Sequence, residues 1–453
     1  MNHRLPRRAL PGTRARCPQP PRGAALATLL TTALLCPLAS ALGAAAEEAQ
    51  PQPGRPLTTV AGTSLSYHVA STEDLEPSLR DLVPYFDIVW VDVPTWDKDV
   101  LHFPGEIERV TQTLDTAHRL GLKTAFCFPW ASLLPREPQG EAEALFGSRL
   151  DPETGGLAPC HSWDYGSDAA LAEFRARCRA LFAAVGRPAE MLMVDEQILG
   201  EPGRDFWYRP ISTYWTSPTY SSASLTSFRA FLARKGLAGA EEARFPVTTR
   251  SVEAGARANE GLPAVPITDQ NRDRLVADDD WPAGELWQAW YEWRTELYAR
   301  WLEAACDEAT RYWDQGDGWL GCCYVVPDTW AVKELGQDLS LIAALPHVDF
   351  VSAGYNSGTH FDWFRHAASL VRKRWGTIVQ LCTYGKREGT PPDTIRQTFR
   401  TAVEAGASLL HVYAGVNFFT RRKDPLDTGL YYMPEQVKAW QESVEWLRAR
   451  PRP

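Results

Sequence analysis

Short apolar runs recur along this chain, separated by longer segments in which apolar residues return every three or four positions. The runs "SLSYHVA" (64–70), "FDIVWVDVP" (86–94), "KTAFCFPW" (123–130), "EMLMVDE" (190–196), "GWLGCCYVV" (318–326), "HVDFVSAGY" (347–355), "GTIVQLCTY" (376–384) and "ASLLHVYAG" (407–415) have the length and continuity of buried strands. Between them lie helical patterns such as "EIERVTQTLDTAHRLG" (106–121), which predicts a stop at Gly121, and "PEQVKAWQESVEWLRAR", which opens on a proline suited to a first helical turn. Eight apolar strands joined by helices predict an α/β fold, a (β/α)₈ TIM barrel, over 59–450. An open doubly wound sheet would carry a glycine-rich phosphate loop after its first strand, and "SYHVASTEDLEP" has none.

The segment 197–317, between the fourth and fifth strands, is read as a long aromatic-rich insertion. Within it, "FWYRPISTYWTSPTY" (206–220) holds six aromatics in fifteen residues without a helical period, and Trp207 there is a candidate ligand contact. The stretch "ELWQAWYEWRTELYARW" (285–301) instead places Leu286, Trp290, Trp293, Leu297 and Trp301 on one helical face, which predicts packing against the barrel.

The first residues are of a different composition. Residues 1–22 carry six arginines and no acid, and an apolar, alanine-rich stretch follows up to "ASA" at 39–41. That order predicts a secretory leader over 1–41, then a Pro/Gly-rich linker over 42–58, and so an exported chain with no membrane span after cleavage. Retention as a membrane anchor is the competing reading, disfavoured by Pro37 and the many alanines. Without the leader, 41 basic residues face 56 acidic ones, a net charge of −15 that argues against a nucleic-acid partner. Cys127, Cys322, Cys323 and Cys382 fall in strand-like runs and read as core packing; only Cys160 and Cys178 are weighed as a disulfide pair. No Cys-x-x-Cys or His-x-His occurs, so no metal site and no cofactor is predicted.

In a (β/α)₈ barrel the C-terminal strand ends face the active-site mouth. The predicted ends supply Asp195 and Glu196, with Tyr67 or His68, Asp92, Trp130, Asp328, Tyr355, Asn356, Gln380, Tyr384 and Tyr413. Carboxylates protonate poor oxygen leaving groups and aromatic faces stack on sugar rings, so the set favours a carbohydrate substrate. Adjacent carboxyls repel, which raises the pKa of one of them and suits a general acid. A regular strand sends Asp195 and Glu196 to opposite sides, so both reach one mouth only if the strand bends. The alternatives are structural: Glu196 paired with an arginine such as Arg204, Asp92 in a turn with Pro94, and His68 and His411 as wall residues within strands.

"MLMVDEQ" resembles the fourth strand of the barrel-clan glycoside hydrolases, which ends in a general acid/base Glu usually preceded by Asn. With "YSSASLTSFRAFLARKGL" (220–237) and the Trp-rich 281–301, the chain is most similar to the family 42 β-galactosidases. The resemblance implies an acid/base role for Glu196 and ligand contacts at Asp195, Trp130, Tyr355 and Tyr384. It departs at the seventh strand, where that family has a nucleophilic Glu and "TIVQLCTYGKREG" offers Gln380, Cys382 and Thr383, with Glu388 in the loop beyond. Asp92, Asp328 and Glu388 are the remaining candidates for a second carboxylate. An Asp-Glu pair also resembles the family 20 hexosaminidases, in which the substrate's 2-acetamido group replaces the enzyme nucleophile. A non-catalytic carbohydrate-binding barrel is the third reading.

Overall fold

A computed structural model describes residues 59–64, 75–92, 101, 104–135, 140–150, 157–185, 189–194, 219–237, 239–243, 285–313, 319–325, 336–353, 374–383, 388–412, 419 and 433–450. All of these belong to the compact unit Pro56–Pro453. The strands, in chain order, are β1 (Val60–Ser64), β2 (Ile88–Asp92), β3 (Lys123–Phe128), β4 (Phe146–Leu150), β5 (Leu157–Trp163), β6 (Met191–Val194), β7 (Trp319–Val325), β8 (Phe350–Ala353), β9 (Arg374–Ile378), β10 (Cys382–Thr383), β11 (Glu388–Gly389) and β12 (Leu409–Val412). The helices are α1 (Leu75–Leu82), α2 (Pro104–Arg119), α3 (Asp168–Val185), α4 (Ser222–Arg234), α5 (Glu285–Trp313), α6 (Leu339–Ala344), α7 (Pro392–Glu404) and α8 (Pro434–Ala449).

Eight parallel strands close into a barrel in the order β1-β12-β9-β8-β7-β6-β3-β2. Following the registers from Gly62 through Ile88, Met191, Phe350 and Leu409 back to Val60 takes three two-residue advances and ends two residues short of the start. The stagger is therefore eight residues for eight strands, the geometry that sorts interior side chains into layers of four from alternate strands. One layer is Ile88, Met191, Phe350 and Leu409; the next is Gly62, Ala125, Gly321 and Gly376; above that come Trp90, Met193, Ser352 and His411.

The middle layer is small because its neighbours are large. A Cβ on Gly62 would lie 2.9 Å from both Ile88 Cγ2 and Leu409 Cδ1 and 3.1 Å from Trp90 Cζ3. A Cβ on Gly376 would lie 2.9 Å from the Leu409 carbonyl oxygen and 3.0 Å from Phe350 Cζ. The same packing corrects one sequence expectation. The first barrel strand is Val60–Ser64, ahead of the predicted run, whose residues 65–70 lie outside the described residues; its apolar signal is diluted by Gly62, which gives way to Trp90, and by Thr63, whose hydroxyl donates to the Val412 carbonyl. Six of the other barrel strands fall within their predicted runs, and β9 begins at Arg374, two residues before its run at 376–384.

Outside the barrel, α2 ends as its sequence requires. Gly121 adopts φ 81°, and the amides of Gly121 and Leu122 return to the carbonyls of His118 and Ala117. At the strands' N-terminal end, Glu190 accepts from the amide and hydroxyl of Thr124 and meets His118 Nε2 at 3.1 Å. Burial alone would raise the Glu190 pKa, but the bonds from Thr124 and His118 outweigh it and hold the carboxyl below its ordinary value. The last helix returns to the first βα unit, where Trp440 Nε1 donates to the Tyr85 carbonyl and Arg448 bonds Asp87. Asp87 in turn accepts from the amide of Ala61 on β1.

Two predictions follow from this packing. Gly376→Ala should destabilise the barrel by about 1–3 kcal/mol, because the backbone of Leu409 cannot swing aside as a side chain end could; a urea melt with unchanged slope checks it. Glu190→Gln should cost about 1 kcal/mol at neutral pH, solvent screening keeping the loss small. A carboxyl with a lowered folded pKa contributes stability above its unfolded value and loses it as pH falls through the folded one. The deficit of the variant should therefore be full at neutral pH and close as pH drops below 4.5, the ordinary glutamate value. A deficit that stays constant with pH would contradict the assignment.

Candidate active-site mouth

The C-terminal ends of the barrel strands are Ser64, Asp92, Phe128, Val194, Val325, Ala353, Ile378 and Val412. Their partners are parallel throughout, so all eight open to the same side. One irregularity lies at this rim. Between the Cys322↔Val351 and Val325↔Ala353 pairs, β7 advances three residues against two on β8, a bulge of the kind that redirects side chains at barrel mouths.

Several predicted site residues can be placed. Asp92 is the last residue of β2, in register with Cys127, whose side chain faces the interior. Gln380 lies two residues past the end of β9 and is half-buried. The chain then turns into a small antiparallel hairpin, β10 with β11, in which Glu388 pairs with Thr383 and the Thr390 amide closes on the Leu381 carbonyl. The stretch read from sequence as a loop thus carries the backbone of Glu388 back beside the end of the seventh barrel strand. His411, read as a wall residue, is fully buried in β12, where Ser352 Oγ meets its Nε2 at 2.8 Å. Asp195, Glu196, Trp207, Asp328, Tyr355, Asn356, Tyr384 and Tyr413 lie outside the described residues, as do Tyr67, His68 and Arg204.

Trp130 is where the structure departs from the sequence reading. It opens a 3₁₀ turn, Trp130–Leu133, directly after β3, and its side chain is 0% exposed. Its ring packs among Tyr165, Phe174, Tyr298 and Trp301, with centroids 5.4–6.0 Å away. Its carbonyl accepts from Trp163 Nε1, and Trp301 Nε1 donates to the Tyr165 carbonyl. A ring enclosed on these sides is a core element and not a sugar platform. The expectation failed because sequence places Trp130 at a strand end but cannot show what α3, β5 and α5 bring against it.

Missed in the sequence was the hairpin of β4 and β5, inserted between the third strand and α3. "DPETGG" at 151–156, a turn-forming stretch between two short apolar runs, was the available signal. This hairpin ties the insertion to the barrel. Ser148 and Thr219 form a bridge, and the Tyr220 amide donates to the Ser148 carbonyl. Just beyond β5, buried Asp164 accepts from Ser221 Oγ at 2.6 Å and Ser224 Oγ at 2.7 Å. Burial raises the Asp164 pKa, with the two serine bonds and the Gly166 amide opposing the rise. Ser221 also caps α4 by accepting from the Ser224 amide. The Cys160–Cys178 pair does not form: both are buried thiols.

Among the described residues, no three His, Cys, Asp or Glu side chains gather as a metal-ligand set. Nor is any described helix long and apolar enough to cross a membrane.

No family model matches this chain, and no curated protein matches it by sequence. Solved structures do share its fold. A β-galactosidase from the psychrophilic Marinomonas ef1 superposes with a TM-score of 0.55 at 16% identity, over 86% of this chain and 62% of that one. The catalytic domain of a β-amylase from Paenibacillus polymyxa gives 0.54 at 12% identity, over 88% of this chain and 100% of that one. Gan42B, a GH42 β-galactosidase, gives 0.54 at 14% identity, over 86% of this chain and 56% of that one. This chain thus spans under two thirds of both β-galactosidases. At these identities the likeness establishes the fold, a TIM barrel resembling those of glycoside hydrolases.

Trp130→Ala should cost about 3–5 kcal/mol, the range for truncating a buried tryptophan. Thermal unfolding would report it; a variant as stable as the parent would show that the ring does not support the core.

Proposed function

We propose that this protein is a glycoside hydrolase acting on a pyranose O-glycosidic bond, β-galactosidase-like in its barrel, with Glu196 as general acid/base. The observation that carries the reading is the place of β6. It is the fourth strand of a closed parallel barrel and ends at Val194, so the Asp195-Glu196 pair follows immediately in sequence at the C-terminal side. That side carries the catalytic groups of barrel enzymes. The fold likeness to β-galactosidases and a β-amylase supports the same class. Asp195, Asp92, Trp207, Asp328, Tyr355, Asn356, Gln380, Tyr384 and Tyr413 are the ligand-contact candidates on this reading; Trp130 is withdrawn from the set. A leader over residues 1–41 and export of the chain belong to the same proposal.

A second reading has its own support. Gln380 stands just past the end of β9, the seventh barrel strand, where a retaining enzyme of this type needs a carboxylate. Glutamine cannot form a glycosyl ester. Substrate-assisted attack by a 2-acetamido group, with Asp195 orienting it and Glu196 protonating the leaving group, needs no such carboxylate. Alternatively, Asp92, Asp328 or Glu388 supplies it.

The test is hydrolysis of aryl glycosides of graded leaving-group ability, galactosides and N-acetylhexosaminides included, by the parent and Glu196→Gln. A general acid matters most when the leaving group is poor, so the variant should lose about 10²–10⁴-fold on unactivated substrates and less on nitrophenyl ones. Turnover restricted to N-acetylhexosaminides would select the assisted mechanism. Equal rates for parent and variant would remove Glu196 from the mechanism, and binding without turnover by the parent would leave a carbohydrate-binding barrel.

A further inference from the structure

Toward the C-terminal ends of the strands the barrel interior holds a buried polar pair. The registers turn Lys123 and Arg374 inward at the N-terminal rim; from there through the glycine-rich layer, Ile88, Ala125, Met191, Phe350 and Leu409 are apolar and buried. Above it, the described interior-facing side chains are Trp90, Cys127, Met193, Ser352, Ile378 and His411, and only Ser352 and His411 are strongly polar. Both are 0% exposed, and Ser352 Oγ lies 2.8 Å from His411 Nε2. The edge of the imidazole packs on Trp90, centroids 5.0 Å apart at 72°. Each of the pair is the second-to-last residue of its strand, so they sit at the top of the interior, immediately beneath the strand ends.

Such a pair is a poor choice for stability alone. Two apolar groups of similar size in the same place bury as well and leave no polar atom to satisfy, so their exchange is often neutral or stabilising. What the pair supplies instead is hydrogen-bonding versatility. A serine hydroxyl both donates and accepts, and a neutral imidazole has one nitrogen of each kind, so either tautomer fits the 2.8 Å contact. A sugar hydroxyl has the same dual character.

We propose that Ser352 and His411 form a positioning pair for the carbohydrate site, a buried hydrogen-bonding support that acts on the ligand through the strand-end groups above it and not by contact. This rests on the reading of the mouth as a carbohydrate site and assigns the pair a part in it beyond packing. The double variant Ser352→Ala/His411→Leu tests it, together with the imidazole nitrogen resonances of the parent protein labelled at histidine. Galactose, glucose and N-acetylglucosamine are the added probes.

The expected result has three parts. The double variant unfolds at the parent's temperature or higher; its kcat falls at least about tenfold while KM stays within about twofold, the pattern of lost orientation; and His411→Gln, which keeps a donor and an acceptor, recovers part of the rate. In the parent, the His411 nitrogen resonances shift as sugar saturates the site. Unchanged kcat in a folded double variant, or His411 resonances that stay still while other signals respond to sugar, would overturn the proposal and leave the glycosidase reading standing. No response anywhere in the parent to any sugar, with no turnover, would overturn both. If the double variant does not fold, the resonances of the parent decide alone.

Discussion

The volume inside an eight-stranded barrel is the constraint on which the rest of this structure depends. With a stagger of eight, each interior level has room for four side chains, and neighbouring levels interleave. This chain fills two levels with large residues, Phe350 with Met191 and Trp90 with Met193, and empties the level between them to Gly62, Ala125, Gly321 and Gly376. A methyl group on Gly62 or Gly376 would meet neighbouring side-chain or backbone atoms at 2.9–3.1 Å, closer than packed carbon atoms approach. The bulky and the absent side chains are thus one feature, because Trp90 can enter the barrel only where Gly62 leaves it space.

Around this interior the long helix α5 provides the outer anchor. Its apolar face supplies Trp290, Trp293, Leu297 and Trp301, all buried, and Trp301 enters the aromatic cluster of Trp130, Trp163 and Phe174. Its later turns carry a different attachment. Buried Glu308 accepts from Arg175 Nε and Arg179 Nη1, each at 2.8 Å, while neighbouring Asp307 also bonds Arg175. A carboxylate at 2% exposure pays heavily in lost hydration, and two guanidinium donors from α3 offset that loss. Apolar burial continues along α5 through Leu302, Ala305, Cys306 and Ala309, and the charge pairs with α3 add to it in the last turns. The helix also leads directly into β7, so its seating fixes the fifth barrel strand.

Much of this was legible in the sequence, for physical reasons that differ by element. Buried parallel strands are apolar on both faces, so seven of eight announced themselves as continuous runs. The first did not, because its space requirement selects Gly62 over an apolar residue. Helix α5 was visible through its tryptophan spacing, and the end of α2 through Gly121, which must take a positive φ. The hairpin of β4 and β5 escaped because short strands outside the main sheet carry little periodic signal. Site residues were less legible than strands. Sequence ranks a residue as functional by its type and its distance from a strand end, and Trp130 meets both criteria while facing the outer core. Only the positions of α3, β5 and α5, distant in sequence, distinguish a stacking platform from a packed ring.

The interior layers carry an argument about the mouth that no single motif could. Residues that serve only to fill the barrel should be apolar, as Ile88, Met191, Phe350, Leu409 and Ala125 are above the charged N-terminal rim of Lys123 and Arg374. The change to the buried pair Ser352 and His411 one level higher marks a depth at which volume is not the sole requirement. The β7 bulge falls near that depth, as does the turn of the chain after β9 into the hairpin that returns Glu388 beside Thr383. Three departures from regular barrel construction therefore coincide at the C-terminal end: a buried polar pair, an extra residue in one strand, and an appended hairpin on another. Each costs regular packing or strand pairing, and all three lie on the side of the barrel where barrel enzymes carry their catalytic groups.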